Sequence, residues 1–352
     1  MSARSVAVGV LGCGDISRAY LESLGRFAAV DVVACADLVP ERATRRAAQF
    51  GVPDACSPEE LLADPRIELV LNLTRAASHF GVSTAIVEAG KSVYSEKPLT
   101  ARLQDARTLL DRARAAGVRV GVAPATFLAA GIQTARAAID DGVIGEPVAA
   151  CATMLAGRQD DQWTADPAAC YAEGSGPLLD VGPYYLTALV TLLGPARRVS
   201  GSARRTVDAF VATDGPRKGE TIAVRVPTHA AATIDFASGP IVTLVTSFDA
   251  PTTAFPEGIE IHGTEGTLAV PDPNSLGGPV RVARGRDAEW EELALVNAYD
   301  SHDWWALGVA EMAHAMLEDR PHRASAELGL HVLEIMEGVI ASSQTGRAVE
   351  LA

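Results

Sequence analysis

The 352-residue chain lacks several things, and each lack removes a class of function. No apolar run approaches the roughly 20 residues that span a bilayer, and the start of the chain carries no basic region followed by an apolar stretch and a small-residue cleavage site. Val6 to Leu11 is too short for that role and runs straight into glycines, so the expectation is a cytoplasmic protein with no membrane partner. The five cysteines (Cys13, Cys35, Cys56, Cys151 and Cys170) are dispersed, odd in number and without a C-x-x-C pair. Neither a disulfide framework nor a zinc knuckle follows, which leaves small buried thiols. The seven histidines are scattered without H-x-x-x-H or H-E spacing, so no metal site is expected. There is no basic excess: the net charge is −14 and the Lys and Arg are spread along the chain. A phosphate-backbone binder needs a basic face, so nucleic acid is not expected as a partner, and an anionic membrane surface is disfavoured. No internal repeat or low-complexity linker is evident.

What is present is material for two cores. Hydrophobic residues make up 48% of the chain, mean hydropathy is +0.14, and the length suits two domains. Ser5 to Leu11 is a β-branched run without polar alternation, as in a strand buried on both faces. It leads at once into Gly12-Cys13-Gly14-Asp15-Ile16-Ser17 and a helical pattern from Ile16 to Leu24. This is a G-x-G-x-x-[small] turn between strand and helix. Gly12 allows the tight turn, Gly14 lets a pyrophosphate approach, and the helix amides that follow, at Asp15 and Ile16, face the phosphate. Ser17 stands where a third glycine is usual. A second strand, Val30 to Ala36, ends in Asp37 and Leu38. An acid there can accept both ribose hydroxyls of an adenosine and repel a 2′-phosphate, which favours NAD over NADP. Strand and helix patterns then alternate, with strands at Leu69 to Leu73, Ser92 to Ser95 and Arg119 to Ala123. The expected fold of this part is a doubly wound parallel sheet. Thr74, Arg75 and Lys97 follow strand ends, where open α/β sheets bind ligands, and His79 begins the helix after Arg75.

The most informative corner is Glu96-Lys97-Pro98, at the carboxyl end of the strand Ser92 to Ser95. Pro98 restricts the residue before it and aims the lysine out of the sheet. From Val148 onward, short strands separated by Gly-rich turns predict a large, mostly antiparallel sheet. Its covering helices are expected at Val181–Leu193, Trp304–Glu318 and Ala326–Ser342, on one face. The boundary is drawn between 1–124 and 125–352. Asp180 and Tyr184, four apart at the start of a helix, would share a face.

Taken together these motifs resemble the Gfo/Idh/MocA family of NAD(P)-dependent oxidoreductases. The resemblance rests on Gly12-x-Gly14-x-x-Ser17, Asp37, Thr74 with His79, Ala89-Gly90-Lys91 and Glu96-Lys97-Pro98. It rests further on Gly145-Glu146-Pro147, Gly174-x-Gly176-x-x-x-Asp180-x-Gly182-x-Tyr184 and Gly263-x-x-Gly266-x-Leu268. It implies a Rossmann domain, a second domain with a mostly antiparallel sheet, dimers or tetramers, and hydride transfer at a carbinol carbon of a sugar, cyclitol or related polyol. It places Lys97 at the reacting hydroxyl and nicotinamide ribose, with Asp180 orienting substrate or lysine. Tyr184 stands at the family's usual histidine, as in the branch resembling glucose–fructose oxidoreductase. The implied cofactor set is Gly12, Gly14, Asp15, Ile16, Asp37, Leu38, Thr74, Arg75, His79, Glu96 and Lys97. The chain departs from the family at Arg75, at Ala123 to Phe127 and at Trp304 to Gly308, so relatives do not settle the substrate. Asp160, Asp161, Trp163, Tyr171 and Tyr185 would suit a polyhydroxylated ring, carboxylates meeting hydroxyls and aromatics its apolar face. Rival readings are an NADPH-dependent reductase of keto- or anhydro-sugars, an NAD-retaining glycosidase, and a non-catalytic NAD-binding regulator.

Overall fold

The structure is a computed structural model, describing residues 4–160, 166–254, 257–286 and 288–352. The chain forms two compact units, 1–129 with 301–330, and 130–300 with 331–352.

The first unit contains strands β1 (Val6–Leu11), β2 (Val30–Ala36), β3 (Asp54–Cys56), β4 (Leu69–Asn72), β5 (Ser92–Ser95) and β6 (Val120–Val122). They are ordered β3-β2-β1-β4-β5-β6 and all run parallel. The order reverses beside β1, and that switch point opens a crevice at the strand carboxyl ends. Helices α1 (Ile16–Leu24), α2 (Pro40–Phe50), α3 (Pro58–Ala63), α4 (His79–Glu88) and α5 (Leu103–Ala116) make the crossovers. The central strands β4 and β5 need no polar face: both are buried at every position. Local chemistry sets the helix ends. Ser57 and Glu60 form a capping box on α3, and Gly51 and Gly117 close α2 and α5 in the left-handed conformation. Lys91, buried, donates Nζ to the carbonyls of Asp64 (2.6 Å) and Ile67 (2.9 Å).

The second unit begins with α6 (Ala130–Asp140), followed by β7 (Pro147–Leu155), the one-turn α7 (Pro177–Asp180), α8 (Gly182–Leu193) and β8 (Ala196–Arg204). A separate two-stranded ribbon pairs β9 (Ala209–Val211) with β10 (Thr221–Ala223). Then come β11 (His229–Phe236), β12 (Ile241–Ser247), β13 (Gly258–Gly263), β14 (Gly266–Val270), β15 (Arg281–Arg284) and β16 (Glu291–Glu292). After α9 (Leu307–Leu317) and α10 (Ala326–Thr345) the chain ends in β17 (Val349–Glu350). The nine-stranded sheet is ordered β16-β15-β14-β13-β7-β12-β11-β8-β17, and its neighbours are antiparallel except β7 with β12. Alternation along the strands sorts two faces. Ala150, Ala152, Val242, Leu244, Ala232 and Ile234 are buried, while Cys151 and Ile241, at the alternate positions, are exposed. The close approach of α10 to β8 is visible at Gly201, where a Cβ would lie 2.7 Å from Val339.

Two expectations are corrected. The helix expected from Trp304 does not cover the antiparallel sheet: it starts as α9 at Leu307 and belongs to the first unit. Gly308 lies against the Tyr94 ring, and a bridge joins Ser325 to Gly121. The sheet's helical cover is therefore α8 and the later part of α10, not all three helices. A single cut at 124/125 becomes several crossings, because 301–330 returns to the first unit. Among the described residues no helix is long and apolar enough to cross a membrane.

Candidate functional site

The glycine turn closes directly on β1. Gly12 has φ +101, and a Cβ there would meet the Leu73 carbonyl carbon at 2.7 Å and its oxygen at 2.8 Å. Only glycine fits, for conformation and for space. Gly14 has nothing within 4 Å of a Cβ position, so the backbone is open to a ligand there. The N-cap of α1, Asp15, makes no side-chain cap bond, which leaves the first helix amides for an anion. Asp37 is held at the end of β2 by two backbone donors, Cys13 N–H to Oδ2 (2.7 Å) and Val39 N–H to Oδ1 (2.8 Å). Beside it Leu38 is 87% exposed, a bare apolar surface at a position able to cover an adenine face. These features fit a dinucleotide.

At the ends of β4 and β5 the polar side chains organise the loops. Asn72, fully buried, accepts from Thr74 Oγ1 (2.7 Å) and donates to Ser83 Oγ (3.0 Å). His79 is buried, with Nδ1 2.7 Å from the Pro98 carbonyl oxygen and Nε2 2.9 Å from that of Thr74. It braces the Glu96–Pro98 corner against the loop after β4, and this interior position replaces the cofactor-facing one expected for it. Arg75 is exposed. Glu96 is buried: Oε1 accepts from Tyr20 Oη (2.6 Å) on α1, and Oε2 accepts from the Lys97 amide (3.0 Å). Its carboxylate thus holds the backbone that presents Lys97, which is half-buried. Tyr20, Asn72 and Ser83 are supports of these loops that no local motif announces; only Asn72 and Ser83 carry a sequence signal, as polar residues on mostly apolar elements.

In the second unit, Asp180 and Tyr184 are not on one continuous helix. Asp180 ends α7, Val181 breaks the run, and Tyr184 sits in the first turn of α8. Asp180 is half-buried and Tyr184 is 7% exposed. Gly176 has φ +90, and a Cβ there would press on the Pro227 carbonyl at 2.8 Å, so the turn feeding α7 depends on it. The proposed sugar contacts are corrected by burial. Tyr185 is fully buried and donates its hydroxyl to Asp272 (2.9 Å); burial and that carboxylate push the phenol far above its ordinary range. Tyr171 packs edge-on against Phe210 and Phe248 and accepts from the Gln159 amide (2.8 Å), with its phenol pushed up to about 12 by burial. Asp160 is buried and accepts from the Thr213 amide (2.7 Å) and hydroxyl (3.1 Å). Each is committed to protein partners. Asp161 and Trp163 lie outside the described residues.

Two family models match the chain: residues 6–123 match an oxidoreductase family with an NAD-binding Rossmann fold, and 132–269 match a GFO/IDH/MocA C-terminal domain. The chain belongs to the GFO/IDH/MocA oxidoreductase family. A relative named 1,5-anhydro-D-fructose reductase, from Ensifer adhaerens, is 30% identical over 97% of this chain and 98% of its own length. A D-xylose 1-dehydrogenase (NADP(+)) from Haloferax volcanii is 25% identical over 97% and 99%. Among solved structures, an NAD binding oxidoreductase from Klebsiella pneumoniae superposes with a TM-score of 0.85 at 25% identity, covering 99% of this chain and all of that one. For this oxidoreductase, the glycine turn and Asp37 therefore lie in the domain that binds the nicotinamide cofactor.

Proposed function

We propose that this oxidoreductase is an NAD-dependent dehydrogenase acting on a secondary hydroxyl of a sugar, cyclitol or glycoside. The observation that carries the cofactor preference is Asp37. Its carboxylate is pinned by two amides at the end of β2, where it would accept the adenosine ribose hydroxyls and repel a 2′-phosphate. The cofactor, when bound, supplies a hydride acceptor at its nicotinamide. The chain's own work is the proton. Lys97, on a corner held by Glu96 and braced by His79, takes the hydroxyl proton in one path with Tyr184, and Asp180 holds the geometry. The proton work lies with Lys97 and Tyr184, and the Lys97→Met variant tests the lysine's share of it.

The likeness in length and identity to a protein named a reductase of an anhydro-sugar supports a second reading, reduction of a keto- or anhydro-sugar by the reduced cofactor. One experiment separates the two: NADH and NADPH formation and consumption scanned over a panel of sugars, inositols, glycosides and keto-sugars. Oxidation with NAD supports the first reading. Reduction with NADPH and tighter NADP than NAD overturns it. Lys97→Met should lower turnover at least about 100-fold with NADH affinity little changed; unchanged turnover would sink the proton path.

We also place this oxidoreductase in the cytoplasm, as a homodimer or homotetramer through the open face of the nine-stranded sheet. Ile241 and Cys151 are exposed there, apolar surface that a second copy would cover. Light scattering on Ile241→Lys tests this; an unchanged mass at all concentrations would refute it.

A further inference from the structure

Ser17, the departure from glycine at the third position of the turn, has a partner that the motif does not include. Arg46 reaches over from α2. Its Nε donates to Ser17 Oγ (3.0 Å), Nη2 donates to the Gly14 carbonyl (3.2 Å), and Nη1 donates to Gln49 Oε1 (2.8 Å). Ser17 Oγ in turn donates to the same Gly14 carbonyl (2.6 Å) and is fully buried. One carbonyl therefore receives a hydroxyl and a guanidinium.

In a trans peptide the carbonyl and the following N–H point opposite ways. Donors drawn to the Gly14 oxygen polarise the Asp15 N–H on the other side of that bond. That N–H belongs to the uncapped amides at the start of α1, the donors that such a turn aims at phosphate. The guanidinium also ties α2 to the turn, so the loop needs less ordering when a ligand arrives.

We propose that Arg46 is a positioning residue for the cofactor: with Ser17 it fixes the glycine turn and polarises the Gly14–Asp15 peptide toward the dinucleotide's pyrophosphate. It acts through the peptide and need not touch the ligand. The proposal rests on the dinucleotide reading of this unit, and the test keeps the two apart.

NADH, NADPH, ADP-ribose and adenosine are titrated against the wild type, Arg46→Leu, Arg46→Lys and Ser17→Ala. The expected result is a loss of about tenfold in affinity for NADH and ADP-ribose in Arg46→Leu, the scale of one charge-assisted hydrogen bond. Adenosine, which has no phosphate, should bind the variant and the wild type alike. Arg46→Lys should recover part of the loss, since it restores charge without the fork. Ser17→Ala should lose a smaller part, and it carries the test if Arg46→Leu fails to fold. Affinities within twofold of wild type in Arg46→Leu would overturn the proposal. So would an equal loss for adenosine, which would mean a collapsed cradle, or a loss confined to NADPH, which would make Arg46 a reader of the 2′-phosphate. A wild type that binds neither NADH nor ADP-ribose would instead overturn the dinucleotide reading itself.

Discussion

Tyr20→Phe removes one oxygen and tests how the lysine corner is held. The Tyr20 hydroxyl donates to Glu96 Oε1 at 2.6 Å, with Tyr20 2% exposed and Glu96 8% exposed. No bulk water can take the place of the lost donor at such burial. Leaving a buried carboxylate oxygen short of a donor costs about 1–3 kcal/mol. For a folding unit of this size that corresponds to a melting temperature lower by about 2–12 °C. The second effect is on turnover. Glu96 Oε2 accepts from the Lys97 amide, so a carboxylate that rotates to find another donor pulls on the backbone that aims Lys97. Small misplacements of a reacting group cost about 10–100-fold, and we expect the lower end because His79 still braces Pro98. Thermal melts and steady-state kinetics measure both. A double-mutant cycle with Glu96→Gln sharpens the test, because contacting groups show coupling of about 0.5–3 kcal/mol. A Gln can keep its oxygen toward the Lys97 amide and its NH2 toward the hydroxyl, so the second substitution should cost less than the first alone. A Tyr20→Phe protein that melts within about 1 °C of wild type and turns over normally would refute the argument, since Glu96 would then be held by something else.

Gly12→Ala should abolish cofactor binding, because its Cβ would lie 2.7 Å from the Leu73 carbonyl carbon at a φ of +101; NADH fluorescence titration checks it. The His322 imidazole, whose Nε2 lies 3.0 Å from the Val120 carbonyl oxygen, is held below the ordinary histidine range chiefly by burial. With the folded-state pKa depressed, the unfolded chain binds the proton first. Stability from this group is therefore present above about pH 6.5 and is lost as pH falls through the folded value. Melts between pH 7 and 5 should show a steeper loss in wild type than in His322→Gln, and parallel curves would refute it. Tyr185→Phe should lower the melting temperature, as Asp272 loses one of its donors, while leaving the KM for any sugar substrate within about twofold; a large rise in KM alone would restore a substrate role.

Much of the fold was legible because its signals are local. The apolar run of β1, the glycines after it and Asp37 at the end of β2 sit within 37 residues, and backbone sterics and side-chain period act over that range. The Glu96-Lys97-Pro98 corner was legible for the same reason: a strand end and a proline are neighbours in sequence. The mostly antiparallel sheet followed from short strands and glycine turns. The destination of α9 did not. Its apolar face would suit either unit, and only the close packing of Gly308 on Tyr94 and the Gly121–Ser325 bridge assign it to the first.

The polar residues divide along the same line. Sequence by itself determined which residue types stand at the turn, at the end of β2 and on the lysine corner, because those positions are read from spacing. Tertiary structure alone decided what their side chains meet. Tyr20 reaches Glu96 across 76 positions, Arg46 reaches Ser17 across 29, and Tyr185 reaches Asp272 across 87. A tyrosine four residues from a turn reads equally as a sugar contact or as a core residue. Burial settles it, because a hydroxyl shut away from water must find a protein partner, and the partner comes from whichever distant segment the fold brings near.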